Sequence, residues 1–423
     1  MTETDTLSHF DSKWKPIVKI CNNSYGRTDC QNDYSIVRGT FVFNGFGIAC
    51  GTDKGEIFIN ETETGKRLMS LEKKDLYEIK RKASHVLLNE MDIGVNDIRS
   101  DENGNYLIVC FSTGHCYIYD LRIGLNSKNV KINDLCISNF NEIRKGPCTC
   151  TAIPYNWEYN YVYIGGYDGY IKSWDLRKEN EYVTHVLAHE GPLTSIEISP
   201  NSCFKNIDDN GLNGVLSSTS FDGKIRMWKL NDLKLLKTFS GPNGSECTLH
   251  STFSKEIDFN GSYNLFCIGN KSSCVWRINK DESTEKINIV NWNIDKLDDN
   301  QLPFSSNNNI LIPKYTGFSE VHNDTYIIPR IIPDTNSELN VNPFGSSDAI
   351  VFNANAIYNG KKHINVKNSC SFIGNASNTD SIITSVSVFS RNNYNSSYLN
   401  NDLLLTTSSY PNPSCVIWCN NTK

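Results

Sequence analysis

His189, Ser220 and Asp222 are the residue types of an acyl-transfer triad, in which a carboxylate orients an imidazole that deprotonates a hydroxyl. That chemistry also needs an exposed nucleophile and an oxyanion site, and no nucleophile elbow surrounds Ser220. The fifteen cysteines contain no CxxC pair, and Cys148 and Cys150 are separated by one residue with no evident His partner. Cys50, Cys110, Cys267 and Cys274 lie inside apolar runs, where Cys serves as a small hydrophobe. The eight histidines are not read as a ligand set, and no glycine-rich phosphate loop is present. The chain is therefore predicted to hold no catalytic residue, no metal and no cofactor.

The same residues make sense once the elements around them are laid out. The stretches "HCYIYDLR" (115–122), "GYIKSWDLR" (169–177) and "GKIRMWKL" (223–230) are alternating strands that end on an aromatic residue. Aligned on that position, the series reads Ile59, Tyr119, Trp174, Trp228, Trp276 and Trp418. Six residues before each stands Asp53, Thr113, Asp168, Asp222, Asn270 or Asn412, most of them in glycine-containing turns such as "YDG" and "FDG". A strand precedes each turn, as in "YLIVCFS" and "YVYIGG", and a further strand precedes that, as in "IGVNDIRS" and "LTSIEIS". Fourth strands are clearest as "RLMSL", "EYVTHVL" and "LKLLKTF".

Four strands per unit, with 48 to 60 residues between the first five anchors, is a propeller period with long loops, the usual repeat being about 40–45. The pattern resembles the WD-repeat family over nearly the whole chain, although only Trp174-Asp175 spells the name. The resemblance implies an all-β, seven-bladed propeller. Its blades are expected at about 34–71, 94–133, 148–187, 193–239, 252–290, 308–367 and 382–418. The sixth draws on "NILIPKY", "TYIIPRII", "AIVFNANAIY" and "HINVK". Residues 1–13 are a polar leader, and "WKPIVKI" (14–20) is expected to pair beside the last third strand and close the ring at 419. Residues 75–91, with Leu76, Ile79, Ala83, Val86 and Leu87 at helical spacing, are expected as an inserted helix that packs on the ring or serves as a partner arm.

The family's structural clasp carries over to His189, Ser220, Asp222 and Trp228, with Asp168 and Trp174 in the preceding blade. The resemblance implies a non-catalytic scaffold whose partners are other proteins or peptides. Tyr167 and Phe221, each just before a turn Asp, are candidate anchors at the clasp end of the ring, unless both rings pack between blades. Asp120-Leu121-Arg122 and Asp175-Leu176-Arg177 are similar to the W-D-x-R ending of substrate receptors of cullin-RING ubiquitin ligases. In those receptors the Arg docks the adaptor, so Arg122 and Arg177 are partner candidates; Tyr119 departs from the pattern. A chromatin or histone-methyltransferase complex subunit and an RNA-processing or ribosome-assembly scaffold are the further alternatives.

Composition agrees with these expectations. Hydrophobic residues are 39% of the 423, enough for substantial cores. The net charge of −6 and isoelectric point near 5.8 argue against direct nucleic-acid binding over the whole surface. The polar start and the absence of a membrane-length apolar run predict a soluble chain in the cytoplasm, the nucleus or both.

Overall fold

The computed structural model describes residues 14–20, 34–70, 94–101, 103–123, 136–141, 147–154, 161–177, 182–199, 214–241, 249–253, 263–268, 273–278, 284–290, 320–321, 325–331, 347–353, 363–365, 370–373, 383–389, 403–408 and 413–420. Strands make up nearly all of the regular structure among them; a single 3-10 turn, Leu121–Ile123, follows one strand.

Among the described residues the strands form seven sheets, each built from chain-consecutive antiparallel neighbours in its main part. The first holds Ile36–Val42, Gly47–Thr52, Ile57–Glu61 and Arg67–Ser70, and the second Val95–Ser100, Tyr106–Phe111, His115–Asp120 and Cys136–Asn141. The third holds Cys148–Ala152, Tyr161–Gly166, Tyr170–Asp175 and Tyr182–Leu187, and the fourth Leu193–Ile198, Val215–Ser220, Lys224–Lys229 and Leu235–Ser240. His250–Phe253, Tyr263–Ile268, Ser273–Ile278 and Thr284–Val290 make the fifth, and Glu320–Val321, Thr325–Ile331, Ser347–Asn353 and Cys370–Ile373 the sixth. In the seventh, Ile383–Phe389, Leu403–Ser408 and Cys415–Asn420 are joined by Trp14–Ile20 from the other end of the chain.

The turns explain the hairpins. Gly169 and Gly223 close the bends between second and third strands at φ 79° and 75°, a region costly for any residue with a Cβ. At Gly169 a Cβ would also stand 2.3 Å from the His189 carbonyl oxygen.

Burial shows how the sheets are arranged. Gly47–Thr52, Val215–Ser220 and Leu403–Ser408 are buried at all six positions, so these strands are covered on both faces. Outer strands are different: Tyr182–Leu187 and Leu235–Ser240 are mostly open. The apolar clusters lie between sheets. Val42, Ile57 and Ile59 pack with Ile98, Leu107 and Phe111 between the first and second, and Ile108, Ile118, Val162 and Trp174 pack between the second and third. Tyr163 and Ile171 meet Ile196 and Leu216 between the third and fourth. Ile225 and Phe239 meet Leu249 and Leu265 between the fourth and fifth. Ile48, Cys50 and Phe58 pack with Leu405, Cys415 and Ile417, which brings the seventh sheet onto the first. First strands stand against one another from the first sheet to the fifth, and the seventh's first strand touches those of the first and the second strand of the sixth.

The seam between the seventh and first sheets is tight. Gly39 N–H donates to Ser385 Oγ at 3.0 Å, Ser385 and Thr407 hydroxyls are 2.6 Å apart, and the Cys50 and Cys415 thiols approach to 3.1 Å. A Cβ on Gly39 would lie 2.8 Å from Leu405 Cδ2.

Three expectations are corrected. "HINVK" does not supply the sixth sheet's fourth strand: His363–Asn365 pairs in parallel with Thr284–Val290, and Cys370–Ile373 takes that edge instead. The sixth unit therefore runs past 367, and its first strand is Glu320–Val321; "NILIPKY" lies outside the described residues. The second sheet's outer strand is Cys136–Asn141, beyond the boundary of 133. The helix expected at 75–91 and the leader also lie outside the described residues.

Candidate interaction faces

Antiparallel pairing gives the sheets two distinct ends. The turn residues Asp53, Thr113, Asp168 and Asp222 lie where first strands begin, because Ile36, Val95 and Leu193 stand opposite Thr52, Phe111 and Ser220. Asp120 and Asp175 lie at the other end, opposite Tyr106 and Tyr161.

At the turn end, His189 is the hub of a buried relay. Its Nδ1 is 3.0 Å from Asp222 Oδ2, its Nε2 is 2.8 Å from Ser218 Oγ, and Trp228 Nε1–H donates to the same Oγ at 2.8 Å. Trp228 N–H donates to Ser218 Oγ, which leaves the Ser218 O–H for Nε2 and Nδ1–H for the carboxylate, while Arg226 Nη1 also stands 2.9 Å from Nδ1. Asp222 also accepts from Lys224 N at 2.9 Å and from Arg226 at 3.3 Å. The hydroxyl expected in this set was that of Ser220, which instead accepts the Asp222 backbone N–H at 3.2 Å. Ser218 and Ser220 share a face because strand side chains repeat every two residues, so the miss is one period along the strand. The signal that finds it is a hydroxyl two residues past the partner of the Trp. Leu216 stands opposite Trp228 and Leu404 opposite Trp418, and Thr406 Oγ1 accepts from Trp418 Nε1 at 2.9 Å.

The Asp222–His189–Ser218 order has triad geometry, but Ser218 is fully buried and its oxygen already accepts the indole proton. No substrate carbonyl can reach it. Burial depresses the His189 pKa, against the pull of Asp222. Burial of Asp222 favours its neutral form, but Lys224 N–H, His189 and Arg226 together outweigh this and hold its pKa below the usual value. The set is a neutral-imidazole tie between two hairpins. In the third sheet, Asp168 accepts Tyr170 N–H at 3.1 Å and pairs with Lys172 at 3.3 Å, while Trp174 is buried. His185 and His189 stand four residues apart, but His185 is exposed on an outer strand and His189 is enclosed. Among the described residues no group of three or more His, Cys, Asp or Glu is placed to hold a metal.

Tyr167 and Phe221 occupy matching places beside this tie. Tyr167 N–H donates to Pro147 O at 3.0 Å and Phe221 N–H to Pro192 O at 3.3 Å. Tyr167 is 45% exposed, whereas Phe221 is half-buried.

A second network was not anticipated. Asp97, on the second sheet's first strand, accepts from Arg38 at 2.9 Å, from Thr151 N at 2.8 Å and from Ile98 N at 3.0 Å. Arg99 pairs with Glu197, linking the second sheet to the fourth past the third. Burial lowers the Arg38 pKa to about 10, helped by Arg99 and opposed by Asp97 and Glu197. For Arg99 burial is again the largest effect, but the two carboxylates outweigh it and raise the pKa. Its signal was in the sequence as charged residues inside first strands: "IVRGTFV", "VNDIRS" and "LTSIEI". A cavity of about 130 Å³ opens where these strands end, lined by Arg99, Asp101, Pro154 and Glu197 among others. It is smaller than the roughly 300 Å³ at which small-molecule sites begin.

At the opposite end, Arg122 and Arg177 repeat one motif on neighbouring sheets. Each guanidinium grips the Asp two residues before it, Nε to Oδ1 at 2.9 Å in both, and lies over a tyrosine ring, Tyr106 at 4.8 Å and Tyr161 at 5.7 Å. Arg122's hydrogen bond holds the Asp120 carboxyl below the usual range. Both arginines remain more than half exposed. The candidate residues thus fall into two sets at opposite strand ends rather than one site.

Residues 181–229 match the family model described as "WD domain, G-beta repeat". The match begins beside the third sheet's outer strand and ends with the fourth sheet's third strand, so the sequence repeat is offset from the sheet by one strand. Residues 181–229 form a WD repeat, and the fold is a β-propeller. The chain is 30% identical over 95 residues to the Periodic tryptophan protein 2 homolog of Dictyostelium discoideum, which is 22% of this chain and 9% of that one. It thus spans under a tenth of that relative's length. A chain in the crystal structure of a mitotic checkpoint complex superposes with a TM-score of 0.56 at 10% identity, covering 96% of this chain and 95% of that chain, a likeness of fold. No described helix is long and apolar enough to cross a membrane.

Proposed function

We propose that this chain is a non-catalytic scaffold that assembles a multiprotein complex, holding protein or peptide partners on the end of the propeller where Tyr167 and the turn aspartates lie. The seven sheets serve as blades of one ring, with Trp14–Ile20 completing the last. The observation that carries the reading is Tyr167, an open aromatic seated on backbone that Pro147 and the turn hold fixed. A rigid aromatic loses little entropy on binding and supplies large contact area, which makes it an efficient anchor. The geometry of the buried relay supports the non-catalytic part, since its hydroxyl is closed to substrate.

Affinity purification of the full chain with mass spectrometry tests the reading. Tyr167→Ala is expected to remove specific partners while the melting temperature stays unchanged; an identical partner set overturns the use of this face. A second reading places a cullin-RING adaptor at the other end, favoured by the matched, exposed guanidinium groups of Arg122 and Arg177. In the same purification, Arg122→Ala with Arg177→Ala would then lose the adaptor and keep the other partners.

A further inference from the structure

The side of the fourth sheet carries a feature that neither end explains. Among the described strands Leu235–Ser240 is last in the order of its sheet, and its first two residues, Leu235 and Leu236, are 46% and 49% exposed. Successive strand residues point to opposite faces, so a ligand lying on one face would cover only one of these leucines. A strand added along the edge covers both. The fold already accepts such an addition elsewhere. Thr284–Val290, the corresponding strand of the fifth sheet, takes His363–Asn365 in parallel, with Asn288, Ile289 and Val290 opposite His363, Ile364 and Asn365.

The surroundings are basic. Residues 214–241 contain Lys224, Arg226, Lys229, Lys234 and Lys237 against Asp222 and Asp232, five positive and two negative, in a chain whose net charge is −6. Arg226 and Asp222 pair within the buried relay. Lys229 and Lys234 are exposed and are joined by a 2.9 Å backbone hydrogen bond across the turn that precedes the leucines.

We propose that the outer edge at Leu235–Ser240 is a docking site for an extended segment of a protein partner, which pairs as a fifth strand. Aliphatic residues of that segment cover Leu235 and Leu236, and its Asp or Glu residues face Lys229 and Lys234. The site rests on the scaffold reading but uses a different surface from Tyr167, so the two fail separately.

The test uses the full chain and a short fluorescent peptide with two consecutive Val or Ile residues, one for each face of the strand, flanked by Asp or Glu, with binding followed by anisotropy. The acidic peptide is expected to bind, and a counterpart with Lys at the acidic positions is not. Leu235→Ser with Leu236→Ser, and separately Lys229→Ala with Lys234→Ala, should each weaken binding by about tenfold or more. Because these side chains are exposed, thermal melts of both variants should match the unaltered chain. Alternate N-methylation of the peptide backbone, which removes strand pairing and keeps the side chains, should abolish binding. Equal binding of the N-methylated peptide, absence of binding by the acidic one, or loss of binding in Tyr167→Ala would each overturn the proposal. So would a dimer in sedimentation that the leucine variant dissolves, since the edge would then be occupied by a second copy.

Discussion

Ser218 shows how much a single hydroxyl decides. It accepts a hydrogen bond from Trp228 and donates to His189, so its loss takes a partner from two buried groups, one on the third strand and one in the loop before the first strand. Ser218→Ala is expected to cost about 1–3 kcal/mol. Ser220→Ala removes one weaker acceptor at 3.2 Å and should cost about 1 kcal/mol or less. Urea denaturation of the two variants checks the order, and a larger loss in Ser220→Ala would restore the sequence expectation. The same experiment repeated over pH reads His189. Burial lowers its folded pKa below the unfolded 6.5, so the unfolded chain binds more protons below that value. Its contribution is complete above about pH 6.5 and is lost as the pH falls through the folded pKa; His189→Leu should flatten that segment. The depressed Asp222 acts likewise, below its unfolded 3.8.

At the scale of elements, the first strands carry the least expected feature. They were legible as strands from their alternation, but not as holders of a charged network, because one strand does not reveal which neighbours its polar residues meet. Asp97 is 2% exposed and neutralises Arg38, with Arg99 beside it. Removing the charge in Asp97→Asn strands a buried guanidinium and should cost about 3–5 kcal/mol in chemical denaturation. Arg38→Met added to that change removes the stranded charge and should recover part of the loss; no recovery would mean that Asp97 acts mainly through its bonds to Thr151 and Ile98. The outer strands were less legible. Two of them, Tyr182–Leu187 and Leu235–Ser240, stand where expected. "HINVK" has the same strand character but pairs with the fifth sheet, because edge hydrogen bonds are indifferent to which chain segment supplies the donor.

For the whole molecule, the decisive contact joins segments from the two ends of the chain. Trp14 stands opposite Asn420 and Ile20 opposite Cys415, with a register shift between Pro16 and Val18. Ile20 is buried in the cluster that packs the seventh sheet on the first. Deleting residues 1–22 exposes the edge of Cys415–Asn420 and opens that cluster, and the melting temperature should fall by more than about 5 °C. An unchanged melt would mean that the fold does not depend on this strand. The contact also constrains any fusion or truncation used to search for partners, since a change at either end acts on one sheet.

By itself the sequence determined the all-β class, the four-strand unit and the places of the hairpins. Those follow from local facts: alternation, polar turns, and glycine where the backbone must turn back. The imidazole, carboxylate and indole of the buried relay came from the resemblance to the WD-repeat family, whose clasp positions match His189, Asp222 and Trp228. Tertiary structure alone decided which serine completes that relay, how Arg38, Asp97, Arg99 and Glu197 meet, and which edge His363–Asn365 joins. Each of these depends on distances between residues far apart in the chain, and the chain's local pattern is the same whichever partner those residues find.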